Sequence, residues 1–170
     1  KFGSASCKLA ADTDYLTIPR HANWEFGTGD FTVDCWVFAA AAQKDNYRTI
    51  FSRFDNSTGW WIMANIDGVI NVGKGGSFEI TGLVNVFDSV WHHVALTRAS
   101  GDVKLFIDGT QDGSTLVAAG NYDNSTRDTA IGAMNTTTWV RFWNGHIDEY
   151  RVSNVARWTA NFTPPTAAYS

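Results

Sequence analysis

The sequence predicts an all-β protein built as a two-sheet antiparallel jelly-roll sandwich. Aromatic residues make up 14% of its 170 residues and 15 glycines accompany them, a composition that favours strands and turns. About a dozen short runs alternate between apolar and polar residues, and none is a convincing long helix. We therefore expect residues 1–170 to form a single domain, as a module of a larger protein.

The clearest element is a hairpin in the middle of the chain, made of residues 91–98 and 103–107. The polar run 99–102 between them has the composition of a tight turn, and Asp108-Gly109 supplies the positive φ for the next turn. Neither face of these strands is simply polar, so the hairpin is predicted to lie in the middle of a sheet.

Eight strands are predicted ahead of this hairpin, from apolar alternation and from the turn residues that bound each run. They are residues 4–9, 15–18, 31–37, 49–54, 60–66, 69–72, 78–80 and 83–87. Pro19 ends the second strand, and Asp67-Gly68 joins two of the strands as a hairpin. The segment 39–42 could form at most one short helical turn. Residues 73–77 are predicted to be a flexible loop.

The chain after the hairpin is less regular. Residues 111–125 are predicted to be a polar connection, residues 129–133 a strand, and residues 135–140 a Thr-rich loop.

Three stretches carry a resemblance to a known family. W-H-H-V-A-L-T-R followed by V-K-L-F-I-D-G, the early run N-W-E-F-G-T-G-D-F-T-V-D-C-W-V, and the closing run F-W-N-G-H-I-D-E-Y-R-V are its motifs. Together they resemble laminin G-like domains of the bacterial and phage type, in the concanavalin A-like lectin/glucanase superfamily that includes pentraxins. The resemblance covers nearly the full length and implies a concanavalin A-like jelly roll whose last strand returns beside the first.

Charge and hydropathy argue against two classes of partner. The net charge is −4 and no Lys/Arg cluster is visible, so we expect no nucleic-acid binding. No apolar run approaches the roughly 20 residues of a bilayer span, so we expect no membrane insertion. The resemblance implies display in an extracellular setting, on a cell surface or on a virion surface.

Glycoside hydrolysis on this fold needs two carboxylates that reach one cleft face of a strand. The chain has only Glu25, Glu79 and Glu149, and none lies in a Glu-x-Asp-x-x-Glu arrangement. Asp148 and Glu149 are neighbours, so their side chains are predicted to point to opposite faces of a strand. We therefore predict that the protein is not an enzyme.

A structural calcium ion is implied by the resemblance, since glucanases of this superfamily hold one beside their closing strand. Carried over to this chain, the ligand set is Asp148 and Gly27, with Asp14 and Asp30 as further candidates. The alternative is that Asp14 and Asp30 cap turns while Asp148 pairs with an arginine, either Arg151 or Arg53.

Cys7 and Cys35 have no Cys-x-x-Cys or Cys/His spacing that would indicate zinc or redox chemistry. The residues alone leave a disulfide or two buried thiols open. Both stand where the family pattern has core-facing apolar residues, and this placement implies a Cys7–Cys35 disulfide.

Tryptophans are the residues with which lectins commonly stack on sugar rings. Five of the eight lie within the family motifs, where core packing is the expectation: Trp24, Trp36, Trp91, Trp143 and Trp158. Trp60 and Trp61 are adjacent in one predicted strand, so only one of them can point into the core.

The candidate ligand-binding residues therefore come from two loops. Trp139 lies in a polar loop with Asn135 and Arg141, and Trp60 follows a loop that contains Asp55 and Asn56. The prediction is a non-catalytic carbohydrate-binding or adhesion module that binds a glycan or cell-surface polysaccharide. The alternative is a structural or decoration domain of a virion or surface protein that contacts other proteins, including other domains of its parent.

Overall fold

The chain folds into fourteen strands in a computed structural model that describes residues 1–123 and 126–169. In chain order they are β1 (Cys7–Leu9), β2 (Leu16–Ile18), β3 (Phe31–Phe38), β4 (Arg48–Phe54), β5 (Gly59–Ala64), β6 (Val69–Lys74), β7 (Ser77–Asn85), β8 (Trp91–Ala99), β9 (Asp102–Ile107), β10 (Thr110–Gln111), β11 (Thr129–Ile131), β12 (Met134–Asn135), β13 (Trp139–Val140) and β14 (Gly145–Ser153). Two short 3-10 helices, Ala22–Trp24 and Ala41–Gln43, accompany them. None of the helices in the described residues has the length and hydrophobicity of a bilayer span.

The strands form two six-stranded antiparallel sheets and a small hairpin. The first sheet has the order β1-β14-β3-β8-β9-β10, and the second has the order β2-β11-β4-β5-β6-β7. Strands β12 and β13 pair with each other alone. The all-β, two-sheet antiparallel sandwich predicted from the sequence is therefore confirmed, with β8 and β9 in the interior of a sheet and β14 beside β1.

Two predicted elements differ from the structure, each at a glycine. Residues 78–80 and 83–87 belong largely to one strand, β7, in which Gly82 leaves room for the Asp112 carboxylate; a Cβ there would lie 2.2 Å from it. The predicted loop 73–77 begins inside β6, because Gly73 lies under the Trp61 ring, 2.0 Å from where a Cβ would stand. In both places a glycine serves close packing and does not interrupt the strand.

Later in the chain, the predicted loop 135–140 contains strand residues of the β12–β13 hairpin. The predicted connection 111–125 ends with Asn124 and Ser125, which lie outside the described residues.

The main core lies between the sheets, where the inward faces of the strands pack together. A second apolar cluster lies on the other face of the second sheet: Phe54, Trp61, Met63 and Met134, with Tyr47 and Val140 packed against them. The β12–β13 hairpin supplies Met134 and Val140 to this cluster, so it covers the outer face of that sheet.

The outer face of the first sheet is covered by the chain that follows β14. Trp158 and Phe162 stack at 4.0 Å between ring centroids, and each meets the buried His93 ring edge-on. Beside them, Tyr169 donates its hydroxyl to the fully buried Asp34. Residues 158–169 therefore pack on this sheet. Tyr169 completes a polar cluster around Asp34 that also contains His93 and Arg151.

The predicted Cys7–Cys35 disulfide is wrong, because both cysteines are free thiols. Strand β14 lies between β1 and β3, so the two residues are two strands apart. At about 4.8 Å between neighbouring strands, their Cα atoms are separated by more than the roughly 7 Å that a disulfide tolerates. Burial raises the pKa of both thiols, which keeps them protonated and unreactive.

A buried histidine joins the turns at both ends of the central hairpin. The Nδ1 atom of His92 lies 2.7 Å from Asp108, and its Nε2 atom lies 3.1 Å from Asp88. The hydrogen bond to Asp108, together with the one to Asp88, raises the pKa of His92 despite its burial.

We expect His92 to stabilise the protein more in acid than in alkali. A raised folded-state pKa means that this stabilisation is fully present below the ordinary pKa of about 6.5 and is lost as pH rises through the folded value. The excess unfolding free energy of the parent over His92→Asn, measured in urea, should therefore shrink from about pH 5.5 to about pH 8.5. His21→Asn, at an exposed position, is the control, and an excess that grows with pH would contradict the assignment.

Candidate ligand-binding groove

A groove of about 790 Å³ opens where β3 begins and β14 ends. This volume falls within the range of roughly 300–1,000 Å³ that small-ligand sites occupy. One wall comes from the segment before β3 and the other from the end of β14 and the turn beyond it. The lining residues are His21, Asn23, Trp24, Phe26, Val152, Ser153, Asn154, Val155 and Arg157.

The first wall is held by backbone contacts and by a buried arginine. The Nδ1 atom of His21 accepts a hydrogen bond from Asn23 N at 3.1 Å, which starts the 3-10 helix. Arg53, fully buried on β4, donates to the Trp24 carbonyl and lies 3.8 Å from Glu25. This wall is therefore fastened to the second sheet although it leads into the first.

The second wall is fastened to β3 by one threonine. The hydroxyl of Thr32, fully buried, donates to the Val155 carbonyl at 2.9 Å and accepts from Arg157 N at 2.9 Å. The Arg157 side chain turns back so that its Nε atom donates to Ser153 Oγ at 2.7 Å. The guanidinium is thus oriented by a hydrogen bond before any ligand arrives.

Trp24 differs from the other seven tryptophans. Each of those seven has an aromatic ring as a neighbour, whereas within residues 1–123 and 126–169 no aromatic ring packs on Trp24. It is half-buried and lines the groove, and the 3-10 helix that carries it contains no buried residue. The expectation of core packing is therefore wrong for Trp24, and also for Trp91 and Trp158, which are half-buried and lie outside both apolar clusters.

The groove combines an aromatic surface with hydrogen-bonding groups. Since His21 Nδ1 accepts a hydrogen bond, the neutral ring carries its proton on Nε2, which is then a donor. Asn23 and Asn154 are exposed amides, and the terminal nitrogens of Arg157 are donors. Such a set can bind hydroxyl or carboxylate groups beside an apolar ring face.

The loop chosen from sequence around Trp60 does not form a site with it. Trp60 is fully buried between the sheets, so its predicted role as a ligand-binding residue is wrong. Trp61 takes the outer face, as the alternation requires. Asp55 accepts hydrogen bonds from Ser57 and Thr58 and thereby closes its own turn. Asn56 is exposed at the tip of that turn.

The other predicted set lies around the β12–β13 hairpin. Trp139 is half-buried and its ring stacks on Tyr15 at 4.2 Å, which covers one of its faces. Arg141 points toward the sulfur of Met134 at 3.4 Å, and Asn135 pairs with Trp139 across the hairpin. The structure brings Asn135 and Trp139 together, and ligand binding at Trp139 stays a prediction.

The four predicted calcium ligands do not fit one ion. Asp14 closes a turn by accepting from Ala10 N at 2.9 Å, and Asp30 accepts from Ser100 N at 2.8 Å. Asp148 pairs with Trp36 on β3, six residues from Asp30, which is about 20 Å along a strand.

Asp148 accepts a hydrogen bond from Phe2 N at 3.1 Å. Its predicted alternative pairing with Arg151 or Arg53 is also wrong, because those arginines pair with Asp34 and Glu25. Gly27 directs its carbonyl to Arg98 Nη1 at 3.0 Å. Among the described residues, no three His, Cys, Asp or Glu side chains are grouped to hold a metal. Calcium binding stays a prediction, but not through these four residues.

Sequence reasoning missed the groove because its walls come from segments about 130 positions apart. One signal was available: Trp24 lies among polar residues after Pro19, the same criterion that selected Trp139. The family motif around Trp24 favoured core packing and outweighed that signal.

Comparison with known proteins identifies a family for this chain and solved structures with the same fold. The model of a laminin G family, described as the concanavalin A-like lectin/glucanases superfamily, matches residues 10–161. A search of curated protein sequences found no significant match.

Solved structures of the same fold are distant in sequence. The CBM40 of the Ruminococcus gnavus IT-sialidase, bound to α2,3-sialyllactose, is 13% identical with a TM-score of 0.73, over 91% of this chain and 92% of that one. A heptameric SAP-like pentraxin from Limulus polyphemus is 16% identical with a TM-score of 0.55, over 85% of this chain and 77% of that one.

The binding domain of Paraclostridial Mosquitocidal Protein 1 is 14% identical with a TM-score of 0.66, over 92% of this chain. This chain spans 44% of that structure and 42% of a Bacteroides ovatus protein of the same fold. The likeness to these structures shows the fold, and the family model covers well over half of the chain. The chain therefore belongs to the concanavalin A-like lectin/glucanase superfamily, as a laminin G-like domain.

Proposed function

We propose that this domain is a non-catalytic glycan-binding module and that the groove between residues 21–26 and 152–157 is its binding site. The observation that carries the proposal is Trp24, a half-buried ring that no described aromatic side chain covers, in a groove lined with polar groups. A sugar ring stacks its C–H face on such an aromatic face while neighbouring side chains bind its hydroxyls.

The comparisons support this choice among the functions that the fold hosts. The CBM40 neighbour is bound to α2,3-sialyllactose, and the neighbour from Paraclostridial Mosquitocidal Protein 1 is a binding domain. Since fold does not imply function, the proposal rests on the groove and not on the fold alone. A module of this kind acts outside a cell or on a virion surface.

The test is a glycan array with parent protein, Trp24→Ala and Trp139→Ala. Trp24→Ala should abolish binding of every glycan that the parent retains, because it removes the stacking surface. Its melting temperature should change little, because no described aromatic ring packs on Trp24. Trp139→Ala is the matched control, since that ring already stacks on Tyr15.

The array is run in calcium and in chelator, because calcium dependence is untested. Loss of binding in Trp139→Ala with retention in Trp24→Ala would move the site to the β12–β13 hairpin. An array on which the parent binds nothing would refute the glycan proposal and favour a structural or decoration domain that contacts other proteins.

A further inference from the structure

We infer that the glycan bound in this groove carries a carboxylate and that Arg157 pairs with it. The inference rests on the proposed function and names the class of sugar: an acidic glycan, with a uronic or nonulosonic acid residue.

The groove has no carboxylate of its own. Its nine lining residues include no Asp and no Glu, although the chain has 17 acidic residues and a net charge of −4. Arg157 is the one residue of this lining that is charged at every physiological pH. An acidic sugar would therefore meet a cation without facing a like charge in the lining.

The terminal guanidinium nitrogens of Arg157 are available as hydrogen-bond donors. Its Nε atom is used by Ser153 Oγ, and its backbone nitrogen is used by Thr32, so both interactions hold the residue in place. No carboxylate among residues 1–123 and 126–169 lies within ion-pair distance of its guanidinium. The two terminal nitrogens match the two oxygens of a carboxylate, a geometry that lysine cannot reproduce.

Neighbouring arginines are committed elsewhere. Arg20, on the segment that forms the first wall, lies 3.5 Å from Glu25, and Arg53 lies 3.8 Å from the same carboxylate. Arg151, on the strand that leads into the second wall, pairs with Asp34 at 2.9 Å. Arg157 therefore differs from these three in having no acidic partner among the described residues.

The experiment compares matched glycans that differ by one carboxylate. Glucose- and glucuronate-terminated probes, galactose- and galacturonate-terminated probes, and carboxyl-reduced and native sialyllactose form the pairs, with sulfated counterparts beside them. The parent should bind at least one carboxylated member about tenfold or more tightly than its neutral partner, the range of a charge-assisted hydrogen bond. Raised salt should reduce that ratio.

Substitutions then assign the effect to Arg157. Arg157→Gln should bring the ratio toward one, and Arg157→Lys should keep only part of it, because lysine offers a point charge without the fork. Arg20→Gln, next in sequence to the lining residue His21, is the control, and it should leave the ratio in place because Arg20 is already paired with Glu25.

Four outcomes would overturn the inference, and they are distinguishable from failure of the proposed function. Equal binding of neutral and carboxylated partners, with both lost in Trp24→Ala, would keep the glycan site and refute the carboxylate. Tighter binding of the sulfated probes would show that the preferred acidic group is a sulfate and not a carboxylate. If the ratio of carboxylated to neutral affinity fell equally in Arg20→Gln and Arg157→Gln, the preference would come from the overall positive charge near the groove and not from Arg157. If the parent bound no probe, both proposals would be refuted.

Discussion

Trp60→Ala should lower the free energy of unfolding by about 3–5 kcal/mol, the range for a large aromatic residue removed from a packed core. The ring is fully buried, with centroids of Phe51, Phe31 and Tyr122 at 4.2, 5.4 and 5.4 Å. Its Nε1 atom has no hydrogen-bond partner among the described residues, so the loss is one of packing and not of a polar contact. Urea unfolding of the parent and the variant measures it.

The matched control is the same substitution at Trp24, which lines the groove and is half-buried. Trp24→Ala should cost much less stability and should remove glycan binding. A stability loss at Trp24 as large as that at Trp60 would show that Trp24 is part of the core and would remove the basis of the proposed site.

Arg151→Met should also lower the free energy of unfolding by about 3–5 kcal/mol, because it leaves a buried carboxylate without its cation. Asp34 is fully buried and accepts from Arg151 Nε at 3.1 Å and from Arg151 Nη2 at 2.9 Å. Burial raises the pKa of Asp34, but hydrogen bonds from His93, Arg151 and Tyr169 outweigh burial and hold the pKa below its ordinary value.

The sign of the pH dependence follows from that lowered pKa. Stabilisation by the ionised Asp34 is present above the ordinary carboxyl pKa of about 3.9 and is lost as pH falls through the folded value. The difference between parent and Arg151→Met should therefore be larger at about pH 7 than at about pH 3.

Arg157→Met is the control for this prediction, since that exposed arginine has no acidic partner among the described residues and should cost only about 0–1 kcal/mol. Similar losses for both variants would mean that the Asp34 cluster contributes no special stability.

The local sequence pattern predicted correctly those strands whose ends are set by neighbouring residues. The central hairpin was predicted because alternation and the turn at residues 99–102 are both local, and β8 and β9 follow that pattern. The predicted break within residues 78–87 is wrong, because in the sequence alone Gly82 resembles a residue that interrupts a strand. In three dimensions it makes room for Asp112, 30 residues later in the chain.

Tryptophan roles show the same division. The sequence could say that Trp60 and Trp61 face opposite sides of β5, but not which side is the core. It placed Trp139 in a loop and Trp24 in a core, whereas Tyr15 covers one face of the Trp139 ring and no described aromatic side chain packs on Trp24. The presence of a partner distant in the chain decides the case of Trp139, and the absence of one among the described residues decides the case of Trp24.

The sequence by itself determined the fold class and most strand positions, because periodicity and turn chemistry act over a few neighbouring residues. Its motifs carried the resemblance to the family. Only the tertiary structure decided which residues lie together. The placement of β14 between β1 and β3 keeps Cys7 and Cys35 apart, and the pairing of β14 with β3 brings the segment before β3 to the turn after β14. Such contacts depend on strand order, which alternation along one strand does not encode.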